Sequence, residues 1–290
     1  MCYGPETVLL DGGNDASGAN RNRLLNCVPR EHEDGFDRKK GEDMKRMLAI
    51  GLLSVVVVTG CGGGGSNGDD SGTSAEGLWN GTTSNGRAMS GLVLDDGTYW
   101  VLYSLMGNSA VIAGGVQGTG RSRDGAFTSS NGRDFNLEGL GVNDVDVSAN
   151  YVMQESLSGS LRYKGTGEVV SFSASYDASY ELTPSLELIS GTYSGSAATS
   201  GGTEFATVTV STSGAISGSS AGGCTYSGTG VPRTRGNVYD VVVTFNGGVC
   251  ALGTQTVRGA AYFDANLNQL VSAAVNSART DGFIFAGIKP

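Results

Sequence analysis

The chain has 290 residues, of which 48 are glycine and five are proline; 16% are charged, the formal net charge is −9 and there is a single histidine. That length can bury one large core or two small ones of about 100–150 residues each. Glycine without a G-X-Y period excludes collagen, and 39% hydrophobic residues exclude a disordered chain; the acidic balance offers no basic surface to a phosphate backbone, so no nucleic-acid partner is expected.

Residues 1–43 are polar, lack hydrophobic periodicity and carry the charge-dense run Arg30 to Asp43. Met44-Lys-Arg-Met-Leu-Ala-Ile-Gly-Leu-Leu-Ser-Val-Val-Val-Val-Thr-Gly-Cys61 follows. Lys45 and Arg46 form a positive n-region, and Met47 to Val58 form an apolar h-region too short for a spanning helix of about 20 residues. Residues 44–60 are therefore expected to be a signal peptide. Lys40-Gly41-Glu42 can be encoded as AAA-GGA-GAA, a ribosome-binding sequence just before Met44. This predicts that translation starts at Met44 and that 1–43 is a non-translated leader; a cytoplasmic extension removed with the signal is the alternative.

Without residues 1–60 the chain has 230 residues, 19 acidic and 11 basic, a net charge of −8 and no histidine, because His32 lies in the leader. The usual general base near neutral pH and the commonest metal ligand are then missing. No enzyme activity, metal or cofactor is expected. Cys224 and Cys250 remain as a pair, expected to form a disulfide in an oxidising compartment, with two buried free thiols as the alternative.

Residues 61–75 read as a Gly/Ser/Asp tether, a flexible coil. From Glu76 onward β-rich runs alternate with turns. Leu92 to Tyr103 reads as a hairpin around Asp95-Asp96-Gly97. Its second arm alternates Tyr99, Val101 and Tyr103 on one face with Trp100 and Leu102 on the other, as expected of a strand beneath another layer. Val208 to Ser217 repeats the hairpin around Ser213-Gly214. Tyr239, Val241, Val243 and Phe245 share one face, and Ala260–Phe263, Leu270–Val275 and Gly282–Ile288 complete the strands.

A weak internal repeat joins Gly77-Leu-Trp-Asn-Gly81 to Gly191-Thr-Tyr-Ser-Gly195, and Gln117-Gly-Thr-Gly120 to Ser227-Gly-Thr-Gly230. Pro184 marks the junction. The expected fold is all-β: two tandem small antiparallel meander barrels, 76–186 and 187–290, with a single β-sandwich as the alternative. Short runs, and Asp240 and Arg258 within them, argue against strands that cross a bilayer.

Val58-Thr59-Gly60-Cys61 resembles a bacterial lipobox. The resemblance implies cleavage before Cys61, acylation of its thiol and amine, and a membrane partnership through that anchor, which two or three chains make stable. Gly62 stands where an Asp would signal inner-membrane retention in enterobacteria, so the implied location is the bacterial cell envelope, at the outer membrane. Gly77-Leu-Trp-Asn-Gly-Thr-Thr, Gly91-Leu-Val-Leu-Asp-Asp-Gly-Thr-Tyr-Trp, Leu182-Thr-Pro-Ser-Leu and Arg279-Thr-Asp-Gly-Phe-Ile-Phe-Ala-Gly resemble a group of Gly-rich proteobacterial β-barrel lipoproteins. A looser likeness, without shared motifs, is to the barrel lobes of surface lipoproteins that bind host transferrin or complement regulators.

Candidate chemistry is sparse. Asp144 and Asp146 share a strand face but fall short of the six or more oxygens of a Ca²⁺ site. Asp95-Asp96 suits a turn better than an acid/base pair, and no Ser-x-x-Lys precedes Lys164. Trp79, Trp100, Tyr99 and Tyr103 fit a core, or alternatively a pocket mouth. The expected function is a non-catalytic binding or surface-interaction module with a protein or glycan partner; the alternatives are a structural envelope lipoprotein or a small-ligand-carrying barrel.

Overall fold

The computed structural model describes residues 74–290. The expected leader (1–43), the expected signal peptide (44–60), Cys61 and nearly all of the expected tether (61–75) lie outside the described residues. Seventeen strands follow: β1 (Gly77–Thr83), β2 (Ala88–Val93), β3 (Thr98–Leu105), β4 (Asn108–Thr119), β5 (Arg121–Arg123), β6 (Ala126–Asn136), β7 (Gly141–Val152), β8 (Ser156–Tyr163), β9 (Val169–Asp177), β10 (Gly191–Thr199), β11 (Gly202–Val210), β12 (Ala215–Ser220), β13 (Thr225–Pro232), β14 (Val238–Phe245), β15 (Thr256–Asp264), β16 (Gln269–Asn276) and β17 (Gly282–Ile288). A 3-10 turn (Ala178–Glu181) and a one-turn helix α1 (Leu186–Ile189) bridge β9 and β10, with Pro184 between them.

All neighbours are antiparallel, and the chain closes twice. In the first barrel β1 pairs with both β2 and β9, and β4 pairs with β6 to complete eight strands. The short β5 prolongs β4 beyond Gly120 and pairs with the start of β6. In the second barrel β10 pairs with β17. The sandwich alternative is thereby excluded. Among the described strands, closure leaves only the three-residue β5 paired on one side alone, which suits a chain with few lysines or prolines to protect an edge.

The internal repeat has a physical basis in both barrels. Gly77 and Gly191 open β1 and β10 with positive φ, 151° and 139°. Two residues on, Trp79 Nε1 donates to Ala75 O at 2.9 Å, and Tyr193 Oη donates to Ile189 O at 2.8 Å. Gly97 and Gly214 form the next turns with φ of 80° and 81°. Each accepts a backbone bond from the glycine of the later motif: Gly120 N to Gly97 O, 2.9 Å, and Gly230 N to Gly214 O, 2.7 Å. A Cβ on either turn glycine would collide with the carbonyl of Gly120 or Gly230.

The second barrel is packed solid. Tyr193, Tyr226, Tyr239, Phe245, Phe263, Phe283 and Phe285 fill it with aromatic rings. Helix α1 and its flanks close one end, with Tyr239 Oη donating to Ser185 O at 3.0 Å and Lys289 Nζ donating to Leu188 O at 2.6 Å. Leu252 and the Cys224–Cys250 disulfide close the other.

Between the barrels lies a third apolar cluster. Leu78, Leu92 and Trp100 from the outer faces of β1 to β3, and Leu94 from the β2–β3 turn, meet Val238, Ala260, Ala273 and Ile284, with Tyr180 from the bridge. Strand β3 therefore buries both faces: Tyr99 is 1% exposed inside the first barrel, and Trp100 is 8% exposed against the second. Polar contacts ring this interface. Arg233 pairs with Asp95, Asp96 and Asp240, Arg235 with Glu76, and Arg279 Nη2 donates to Gln117 O and Asn131 O. Asp240 and Arg258 lie exposed on the outside of the second barrel.

Candidate ligand-binding site

The first barrel encloses a cavity of about 340 Å³. Its walls are inward-facing residues of the alternating strands, chiefly Met89, Val93, Val101, Val116, Val147, Leu157, Leu161 and Phe172. Phe127 and Leu157 line its depth, and beneath them Trp79 and Ala75 seal the end where the described chain enters. The opposite end is open. Asn85 of the β1–β2 turn, Leu140 of the β6–β7 turn and Thr166 of the β8–β9 turn stand exposed around the mouth.

The difference between the two interiors traces to three aligned positions. With Gly120 equivalent to Gly230, Val116 on β4 matches Tyr226 on β13. Val116 pairs with Asp134, and Tyr226 pairs with Phe245. With Gly81 equivalent to Gly195, the partners Ala174 and Gly287 match, which makes Val170 on β9 the counterpart of Phe283 on β17. In the second barrel the three aromatic rings pack with centroids 5.2–5.4 Å apart and fill the interior. In the first, two valines and an aspartate leave the space empty.

Asp134 is 1% exposed. Its Oδ1 accepts from Tyr103 Oη at 2.8 Å and its Oδ2 from Tyr163 Oη at 2.9 Å. Burial pushes its carboxyl above the ordinary aspartate value, and the two phenolic bonds oppose that shift. Burial and the adjacent carboxylate push both phenols far upward, so each keeps its proton and donates it. Asn136 Nδ2 donates to Tyr103 Oη at 3.3 Å. Above this group Arg87 donates through Nη1 to Ser104 O, pairs through Nη2 with Glu138 at 2.8 Å, and lies 5.4 Å from the centre of the Tyr103 ring. Gly114 on β4 admits the Tyr103 hydroxyl, since any Cβ there would overlap it.

Of the aromatic residues singled out in the sequence, the structure divides the set. Tyr99 and Tyr103 line the cavity, Trp79 closes its floor, and Trp100 belongs to the interface between the barrels. Asp144 and Asp146 face outward and pair with Arg133 and Lys164. Asp96 accepts from Thr98 N in its turn, and Asp95 reaches Arg233. Among the described residues no group of three or more His, Cys, Asp or Glu side chains is placed to hold a metal ion.

Asp134, Tyr163, Arg87 and Glu138 are not evident from the sequence pattern. A β-bulge hides the first of them. Phe127 and Ser129 point inward on β6, but the register shifts between Ser129 and Gly132. The alternation then changes phase, so Asp134 turns inward and Phe135 turns toward Gly282 of the second barrel. The Asn131-Gly132 pair within a strand-like run is the one local signal of that bulge.

No family model matches the chain, and no curated protein matches it. Solved structures with a similar arrangement include isotype 1 transferrin-binding protein B of Neisseria meningitidis serogroup B, at 9% identity and a TM-score of 0.28, covering 71% of this chain and 66% of that one. A transferrin-binding protein B variant of Haemophilus parasuis matches at 8% identity and a TM-score of 0.26, covering 70% and 66%. A candidate outer membrane protein of Bacteroides fragilis matches at 13% identity and a TM-score of 0.24, covering 74% and 96%. The chain thus spans just under two thirds of the transferrin-binding proteins' length.

Proposed function

We propose that this chain is a lipid-anchored, non-catalytic binding protein of the bacterial cell envelope, and that its hollow first barrel is the ligand chamber. The observation that carries this reading is the contrast between two barrels of one topology. One is plugged by Tyr226, Phe245 and Phe283; the other keeps about 340 Å³ open to one end. An eight-stranded barrel can be filled or can hold a single small ligand, and a volume in this range suits one small molecule. The Met44–Cys61 segment supports the anchor, with Cys61 as the acylated residue.

Transferring the plug tests the chamber. Decanol, titrated calorimetrically into the full chain, is expected to bind the wild type and to lose at least tenfold in affinity in Val116→Tyr/Val170→Phe. A wild type that takes up none of decanol, decylammonium and decanoate overturns the reading. Cys61→Ala, in turn, should abolish fatty-acid incorporation and release the protein from the membrane fraction.

A second reading, a protein or glycan partner engaged through the barrel-end turns, is favoured by Met106 and Leu140, 58% and 74% exposed on turns at the open end. Protease shaving of intact cells tests it: full protection would count against any partner outside the cell.

A further inference from the structure

The polar groups at the chamber mouth are unevenly supplied with donors and acceptors. Tyr103 and Tyr163 each have one hydroxyl proton, and both are given to Asp134. Toward the cavity these phenols offer lone pairs only. Asp134 accepts one bond at each oxygen from them, whereas a carboxylate can accept about four in total. Asn136 is largely committed, one Nδ2 proton to Tyr103 and its Oδ1 to the backbone N–H groups of Glu138 and Leu140.

The one cation among these rim groups is already engaged by the protein. Arg87 is bound to Ser104 O, paired with Glu138 and stacked on Tyr103, with its side chain only 15% exposed. An incoming carboxylate would meet the buried Asp134 and compete with Glu138 for Arg87, leaving it only neutral amide and hydroxyl donors such as Asn85 and Thr166. A group rich in N–H donors would meet unfilled acceptors. Below the rim the wall is hydrocarbon, and about 340 Å³ admits on the order of a dozen non-hydrogen atoms at about 30 Å³ each.

We infer that the chamber takes an amphiphile with a slender apolar body and a hydrogen-bond-donating head, a protonated primary amine foremost, seated against Asp134 between Tyr103 and Tyr163. This rests on the first barrel being the ligand chamber. The body excludes water from the valine and leucine walls, and the head supplies the donors that Asp134 lacks. The amine's positive charge gains most there, because the acceptor is a nearly buried carboxylate with little water to screen it.

The test compares three ten-carbon probes by calorimetry on the full chain: decylammonium, decanol and decanoate. Decylammonium is expected to bind at least tenfold more tightly than decanoate, with decanol between them. Asp134→Asn should shrink the amine-to-carboxylate ratio to about threefold or less. Glu138→Gln, which frees Arg87 without touching Asp134, should raise decanoate affinity and narrow the ratio from the other side; it keeps the idea testable if Asp134→Asn does not fold. Equal affinities for the charged probes, or a ratio unchanged in the variants, overturn the head-group inference while leaving the chamber intact. Failure of all three probes to bind overturns both.

Discussion

Asp134 of the first barrel stands where Phe245 stands in the second, each paired across the sheet with the residue that decides whether the interior is open: Val116 for one, Tyr226 for the other. The exchange replaces a space-filling ring with a carboxylate that needs partners, and Tyr103 and Tyr163 supply them. Truncation should therefore cost very different amounts at matched positions. Phe283 packs against Tyr226 and Phe245, so Phe283→Ala leaves a cavity in a filled core and should cost about 3–5 kcal/mol. Val170→Ala enlarges a space that already exists and should cost under about 1.5 kcal/mol. Denaturant midpoints for the two variants check the contrast, and equal costs would mean that the first barrel is collapsed in solution.

The buried carboxyl also makes a signed prediction about pH. Asp134 lies above the ordinary value of 3.8, chiefly through burial, with Tyr103, Tyr163 and Arg87 opposing and Glu138 reinforcing the shift. The folded chain thus binds its proton more tightly than the unfolded chain does. The associated stability is complete below the unfolded value and is lost as pH rises through the folded one. Asp134→Asn lacks that slope. The stability of Asp134→Asn minus that of the wild type should grow as pH rises from about 4 and level off once Asp134 is ionised. Unfolding midpoints across that range measure it; a difference that shrinks with rising pH would show the carboxyl shifted the other way.

The strands were legible because alternation is a direct consequence of the pleat. Tyr239, Val241, Val243 and Phe245 read as one face and form one wall of the second core. The two apolar faces of β3 pointed to a covering layer, and that layer is the other barrel. What could not be read was any feature that depends on register between distant strands. Whether a barrel is hollow depends on Val116, Asp134 and Val170 meeting across β4, β6 and β9, and the bulge before Gly132 reverses the apparent facing of Asp134. Arg87 and Glu138 come from turns 51 residues apart and meet only because the barrel closes.

The repeated turn glycines can be tested against a glycine of the same conformation without neighbours. Gly214 and Gly86 have φ of 81° and 79°. A Cβ at Gly214 would strike Gly230 O, while one at Gly86 would meet nothing within 4 Å. Gly86→Ala should therefore cost about 1 kcal/mol, the backbone penalty alone. Gly214→Ala should cost about 2 kcal/mol or more, because it also displaces the carbonyl of Gly230. Gly97→Ala should match Gly214→Ala, since Gly120 O is placed in the same way. Thermal unfolding of the three variants ranks them, and a mild Gly97→Ala would break the equivalence of the two repeats.

The disulfide should support stability without touching the chamber. Cys224 and Cys250 are 26 residues apart and cap the filled barrel at the end away from α1. The chain-entropy account assigns a loop of that length about 3 kcal/mol. Cys224→Ser/Cys250→Ser should lower unfolding stability by about that amount, yet bind decanol as the wild type does under conditions where both are folded. Lost binding in the folded variant would place the ligand site at the second barrel.

Trp100 offers the sharpest test of whether the two barrels stabilise each other. It leaves the first barrel on the face opposite Tyr99 and packs in the cluster that holds Ala273 and Ile284. The ionic contacts around that cluster each have one side chain 31–57% exposed to water, and such partly solvated pairs contribute little individually. The apolar cluster must then carry most of the coupling. Trp100→Ala removes its largest member and should cost about 3–5 kcal/mol. Because the lost contacts lie between the cores, the cost should appear as a loss of cooperativity. The wild type is expected to unfold in one transition, and Trp100→Ala in two, with the disulfide-capped second barrel melting later. Calorimetry resolves the two cases. A single broadened transition at unchanged midpoint would mean that the barrels are held by the Arg233 and Arg279 contacts instead.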